Sequence, residues 1–180
     1  MKKNLILTGL PRSGKSTLVK KVLEHVPQRF GFWTEEVVEG GVRMGFNAVN
    51  HKGHPHTLAI RDYPSMRRVG PYGVLHNDFD EFVAPLWRIP KSAKLVYLDE
   101  VGPMQLLSPE FIDLIPVYLA APQPFFATMA VGVEEQFRRD GLVPIVSRED
   151  VELVEITPDN RELREKEVTA WLKYHGVYKA

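Results

Sequence analysis

Short apolar runs alternate with amphipathic stretches along this chain, and the alternation sets its framework. Lys3 to Thr8 (KNLILT) is a compact apolar run of the kind that forms a buried strand. Lys15 to Val26 places Leu18, Val19, Val22, Leu23 and Val26 on one helical face. Gly31 to Glu39 and Val42 to Asn50 are rich in strand formers and flank Gly40-Gly41, which predicts a tight hairpin. His56 to Ile60 follows as a third strand. Arg61 to Gly73, rich in Pro, Gly and Arg, reads as a loop. Asn77-Asp78 should cap a helix from Phe79 to about Trp87.

Lys94 to Leu98 (KLVYL) is a second buried strand, ending at Asp99-Glu100, with a loop over Val101 to Leu107. Ser108, Pro109 and Glu110 supply a cap, a first-position proline and a first-turn acid for a helix ending near Leu119. Pro124 to Ala130 reads as a strand, Val133 to Asp140 as a short polar helix stopped by Gly141, and Leu142 to Val146 as a further strand. Val151 to Ile156 is the last strand, after which Thr157-Pro158 should start a helix to about Tyr174, stopped by Gly176. Strands alternating with helices predict an α/β fold with a mainly parallel sheet flanked by helices. The antiparallel hairpin is an insertion. At 180 residues the chain is expected to form a single domain, 1–180.

Composition narrows the chemistry. There is no Cys, which excludes disulfides, thiolate metal sites and cysteine nucleophiles. Lys+Arg and Asp+Glu are both 23, so bulk nucleic-acid binding is not expected and any phosphate affinity must be local. The start, Met1-Lys2-Lys3 and NLILTGL, is too short in its apolar part for a secretory signal. No apolar run approaches the roughly 20 residues of a membrane span. A cytoplasmic monomer is the expectation.

Gly9-Leu10-Pro11-Arg12-Ser13-Gly14-Lys15-Ser16-Thr17 fits the spacing G-x-x-x-x-G-K-[ST], the Walker A phosphate loop. Its glycines let successive backbone N–H groups turn inward on a phosphate, and the following helix adds its positive end. Lys15 reaches the outer phosphates as a point charge, and Ser16 offers a hydroxyl to Mg²⁺. The order strand, glycine loop, helix is the one this chemistry needs. Asp99, at the end of a buried strand, suits the water shell of that Mg²⁺. The adjacent Glu100 suits an attacking water, which it can orient or deprotonate.

Other polar residues admit two readings. Thr128, in an apolar strand, can hold the attacking water or sense the γ-phosphate, or it can hydrogen-bond within the core. Arg138, Arg139, Arg67 and Arg68 can reach a triphosphate or lie on solvated faces. His51, His54 and His56 have chelating spacing but sit in a turn facing no further expected ligand. Glu35 and Glu36 alternate on a strand, so one of them can face the cleft. Thr157-Pro158-Asp159 reads as a helix start, which puts Asn160 and Arg161 in its first turn. From there the Arg161 guanidinium can stack on a base without reading its edge.

Read together, GLPRSGKST (Gly9 to Thr17), GFWTEEVVEGGVRMGF (Gly31 to Phe46), RVGPYGV (Arg68 to Val74), LDEVGPM (Leu98 to Met104) and TPDNRE (Thr157 to Glu162) resemble the nucleoside-triphosphatase family first described from thermophiles, also called the cancer-related NTPase family. The resemblance implies a RecA-like P-loop fold and Mg²⁺-dependent hydrolysis of nucleoside triphosphates with loose base preference. Gly9 to Ser16 would then bind phosphates, Asp99 the metal shell and Glu100 the water. Pro71 and Pro103 stand where a basic residue is expected, and Gln105 where an acid is. The same loop also serves a nucleotide or small-molecule kinase, or a binding module timed by slow hydrolysis. Glu100 beside the metal carboxylate favours water as the acceptor.

Overall fold

The computed structural model describes residues 1–140, 142 and 144–180. Its strands are β1 (Asn4–Gly9), β2 (Arg29–Glu39), β3 (Val42–Asn50), β4 (Pro55–Arg61), β5 (Arg68–Val69), β6 (Tyr72–Val74), β7 (Leu95–Val101), β8 (Phe125–Ala130) and β9 (Val151–Glu155). They form one sheet in the order β5-β6-β4-β3-β2-β7-β8-β1-β9. From β2 to β9 neighbouring strands run parallel; from β5 to β2 they run antiparallel. The expected hairpin is thus one turn of an antiparallel wing that continues the central sheet, with β2 shared by both parts. Part of the stretch expected as a loop, Arg61 to Gly73, supplies the short edge pair β5 and β6, whose first strand has only two residues.

The helices are α1 (Lys15–Leu23), α2 (His76–Val83), α3 (Pro109–Ala120), α4 (Val133–Arg139) and α5 (Arg161–Tyr174). β1 is buried on both faces, so its alternate residues serve two cores. Leu5 and Leu7 pack with Leu18, Val22, Tyr97 and Trp171, under α1 and α5. Ile6 packs on the other side with Leu98, Phe111, Leu114 and Ala127, under α2 and α3. There Phe32 sits edge-on to Phe79, Phe82 and Phe111 at 5.6, 5.6 and 5.8 Å. Burying each such ring stabilises the fold by roughly 1.5–3 kcal/mol.

Ser108 caps α3 as expected, its Oγ accepting from the Phe111 N–H at 3.0 Å. Three boundaries differ. α2 begins at His76 and ends at Val83, followed by a 3₁₀ turn from Ala84 to Trp87, so Asn77 and Asp78 lie inside the helix and do not cap it. Pro85 falls in the first turn of this 3₁₀ segment, where its missing N–H costs least. α5 begins at Arg161, with Asn160 in place of Thr157 at its cap position: the Asn160 side chain accepts from the Thr157 N–H and donates to the Glu155 carbonyl, closing a turn first. The described residues of Leu142 to Val146 carry no strand; the Ile145 and Val146 N–H groups donate to Glu134 instead. The rest of that expected strand, Val143, and the Gly141 helix stop lie outside the described residues.

Among the described residues, no helix is long and apolar enough to cross a membrane.

Candidate active site

The loop between β1 and α1 lies at the carboxyl end of the parallel strands, where ligands of such sheets bind. Arg12 has a left-handed backbone at φ 63, and Gly14 has φ 106. A side chain at Gly14 would also meet Arg161, with its Cβ 2.9 Å from Nε. Left-handed turns of this kind let a loop aim backbone N–H groups at an anion; the Ser13 N–H donates to the Leu10 carbonyl at 3.2 Å. Lys15 is 7% exposed, and its ammonium donates to the carbonyls of Gly9 at 2.7 Å and Leu10 at 3.1 Å. Those two carbonyls hold the lysine tip beside the loop.

Parallel pairing brings the second element beside the loop. β8 lies between β1 and β7, which sets Asp99 and Thr128 on adjacent strands. Asp99 is 1% exposed. Its Oδ1 accepts from Ser16 Oγ at 3.1 Å and from Thr128 Oγ1 at 2.5 Å. Its Oδ2 is buried without a partner among the described residues. Burial pushes the Asp99 carboxyl above its usual range, while the two hydroxyl donors and the Lys15 charge pull it back. A hydroxyl and a carboxylate with one free oxygen fit Mg²⁺, which keeps several waters and takes its remaining ligands from phosphate. Among the described residues, no group of three or more His, Asp or Glu could hold a metal ion.

Glu100 lies within β7, which runs on to Val101, and it lines the cleft. The Asp99–Glu100 peptide bond is cis. A Cβ on Gly102 would fall 2.7 Å from Glu100 Oε1, so the glycine leaves room for the carboxylate. Burial first, and the neighbouring Asp99 second, push its pKa up, opposed by Lys15.

The cleft has a volume of about 1220 Å³. One wall is the loop, with Pro11, Arg12 and Gly14 to Thr17. Leu10 points outward, 67% exposed. The other wall is the overhanging end of β2 and β3 with the turn after β7: Thr34, Glu35, Glu36, Arg43, Phe46, Met104 and Gln105, so both of the paired acids, of which one was expected at the cleft, border it. Thr34 Oγ1 donates to the Asp99 carbonyl at 2.7 Å and accepts from Gln105 Nε2 at 3.1 Å, which ties the wings together beneath the carboxylates. Glu35 and Glu36 diverge as alternation requires: Glu35 takes Lys20 and Trp33 on one face, and Glu36 takes Arg43 on the other.

Several expected residues have other tasks. Thr128 is fully buried behind Asp99 and touches that carboxylate, not the cleft. Asn160 is consumed by its own turn. Arg161 does border the cleft, but its Nε and Nη2 donate to the carbonyls of Ser13 at 2.7 Å and Arg12 at 3.0 Å, bracing the loop from outside. Arg67 and Arg68 donate to the backbone carbonyls of Leu107, Tyr63 and Pro71. Arg138 and Arg139 form surface pairs with Glu135 and Asp140. His51 packs on Phe30 and His56 on Phe82.

Fold and site together define a P-loop protein of the nucleoside-triphosphatase class. The family described as NTPase matches residues 4–169, and the chain belongs to it. Its relatives include nucleoside-triphosphatase THEP1 of Thermotoga maritima, 33% identical over 172 residues and covering 95% of this chain and 96% of the relative. The cancer-related nucleoside-triphosphatase homolog of Bos taurus is 32% identical, with 89% and 92% covered. The crystal structure of THEP1 from Aquifex aeolicus superposes with a TM-score of 0.80 at 31% identity, covering 94% of this chain and 99% of that one. The solution structure of a human cancer-related nucleoside triphosphatase gives 0.74 at 28% identity, covering 95% and 97%.

Proposed function

We propose that this chain hydrolyses nucleoside triphosphates to diphosphate and phosphate, with Mg²⁺ as its metal. The observation that carries the reading is the buried Asp99 with a free Oδ2, one hydrogen bond from the loop's Ser16 and followed at once by Glu100. Loop N–H groups and Lys15 bind the phosphates; Lys15 exchanges two carbonyls for phosphate oxygens. Ser16 and Asp99 would hold Mg²⁺, which would supply positive charge against the transferring phosphate. Thr128 positions Asp99. Glu100 accepts a hydrogen bond from a water in line with the γ-phosphate; in a loose transition state, placing that water matters more than removing its proton.

Arg161 borders the cleft on the side of β9, away from the carboxylates. Stacking there, face to base, gives broad base use. The relatives carry nucleoside-triphosphatase names, so a kinase on the same loop is not favoured. The reading takes residues 1–180 as one domain, a monomer working in the cytoplasm.

The test is Glu100→Gln. It keeps shape and one acceptor but loses charge. Single-turnover phosphate release should fall by ~10²–10⁴-fold, while ATP and Mg²⁺ still bind. A change below about threefold would remove Glu100 from the chemistry.

A further inference from the structure

We infer that Arg43, on the inserted hairpin, is the arginine that meets the γ-phosphate during hydrolysis, and that Glu36 is the resting partner it leaves to do so. The inference rests on the hydrolase reading above.

Strand order places the residue on the correct side. The loop follows β1, the carboxylates end β7, and β2 and β3 come next in the sheet. The γ-phosphate end of the cleft therefore faces the hairpin, and the β9 side is left for the base. β3 is two strand spacings from β7, roughly 10 Å. Arg43 is paired with Val38, further along β2 than the Trp33 that pairs with Asp99, so it stands on the overhang and borders the cleft from there. Trp33 is paired with Asp99, so β2 and β3 overhang the cleft from Thr34 onward.

The side chain is held for release. Arg43 Nη2 lies 2.7 Å from Glu36 Oε1, and its guanidinium stands over the Phe46 ring at 5.5 Å. It is only 28% exposed, against 50% for Glu36. Its Nε is buried with no partner among the described residues. A half-buried guanidinium with a donor to spare, bordering the cleft, gains charge-assisted bonds when a phosphate arrives. The other arginines considered for this task are engaged elsewhere: Arg67, Arg68 and Arg161 on backbone carbonyls, Arg138 and Arg139 in surface pairs outside the cleft lining. Balance is simple. The guanidinium transfers no proton; it exchanges one carboxylate for the charge that builds on the phosphate oxygens.

The test compares Arg43→Ala, Arg43→Lys and Glu36→Gln in the full chain. An arginine on the transition state contributes ~10³-fold or more. Arg43→Ala should lower kcat by about that factor, with KM within a few fold. It should also fail to trap Mg²⁺, ADP and aluminium fluoride, while still binding ADP. Arg43→Lys should stay at least ~10-fold below the unmodified protein, since an ammonium lacks the planar fork. Glu36→Gln removes the same ion pair but leaves the guanidinium, so its kcat should exceed that of Arg43→Ala by ~100-fold or more. Arg43→Ala hydrolysing within threefold of the unmodified protein would overturn the inference. So would Arg43→Ala and Glu36→Gln falling together, which marks a merely structural pair. If the unmodified protein released no phosphate from any nucleoside triphosphate, the hydrolase reading itself would fail, a result distinct from either of these.

Discussion

The wall of the cleft carried by β1, β8 and β7 is buried and closed by hydrogen bonds, whereas the wall carried by β2 and β3 is half exposed and held by ion pairs. Lys15, Asp99 and Thr128 are each at most 7% exposed; Thr128 donates to Asp99, and Lys15 donates to two loop carbonyls. Lys20–Glu35 and Arg43–Glu36 join long side chains with 28–50% of their surface in water. Exposed pairs contribute about 0.2–1 kcal/mol, while orphaning a buried acceptor costs about 1–3 kcal/mol. One wall is therefore fixed before the nucleotide arrives, and the other can exchange partners cheaply. A phosphate site needs the first for precise geometry; a group that acts only as charge develops is best placed on the second.

Arg43 apart, breaking the buried wall should have the largest effects, on nucleotide binding as well as on turnover. Lys15→Ala removes the charge at the outer phosphates, and turnover should fall by ~10²–10³-fold with nucleotide binding largely lost. Circular dichroism should show the fold intact, because the lysine contacts only loop carbonyls. Unchanged ATP affinity by calorimetry would contradict the assignment of the loop.

Thr128→Val deletes one hydroxyl at nearly constant volume. Asp99 loses its shorter donor and keeps Ser16. The Mg²⁺ concentration for half-maximal activity should rise ~10-fold or more, with kcat at saturating Mg²⁺ close to that of the unmodified protein. A fall in kcat with no change in Mg²⁺ dependence would instead mean that Thr128 meets the reacting water.

The open wall should tolerate more. Lys20→Ala should cost below about 1 kcal/mol in urea unfolding and change turnover less than threefold. A larger loss would show that the ion pair on this face is held as firmly as the buried hydrogen bonds.

The smallest effect concerns pH at the root of the hairpin. Burial, and then the Lys52 charge, push His51 below its ordinary range. Its neutral form is favoured in the folded state, so between the two pKa values the unfolded chain binds more protons. That share of stability is complete above the unfolded value near 6.5 and is lost as pH falls through the lower folded value. His51→Gln should flatten the urea midpoint against pH in that window. An identical slope in both proteins would assign the pH dependence to other groups.

The same contrast governs what the sequence revealed. Glycine spacing, an apolar strand before it and a helical face after it are local, so the loop at Gly9 to Thr17 was legible, as were Asp99 and Glu100 after a buried strand. What escaped depends on pairing between distant residues. Nothing near Arg43 announces that β3 overhangs the loop, because that follows from β2 joining β7. Thr128 was visible as an anomaly, but its partner became known only when β8 fell beside β7. The bracing by Arg161 spans 148 residues from Ser13. The starts of α2 and α5 were misplaced because Asn, Asp and Thr favour turns as much as caps, and only the tertiary path decides between them.

The place of β1 in the sheet has a consequence for synthesis. The first strand made pairs with Phe125–Ala130 on one side and Val151–Glu155 on the other. When the ribosome has delivered the loop, neither neighbour exists, and the Arg161 brace comes later still. Such long-range closure is slow, since distant segments must meet before any contact stabilises them. The growing chain must therefore carry the apolar β1 unpaired until at least Phe125–Ala130 has been made, exposed to aggregation. Nucleotide cannot help before Arg161 has been made, because the brace on the loop comes from that residue.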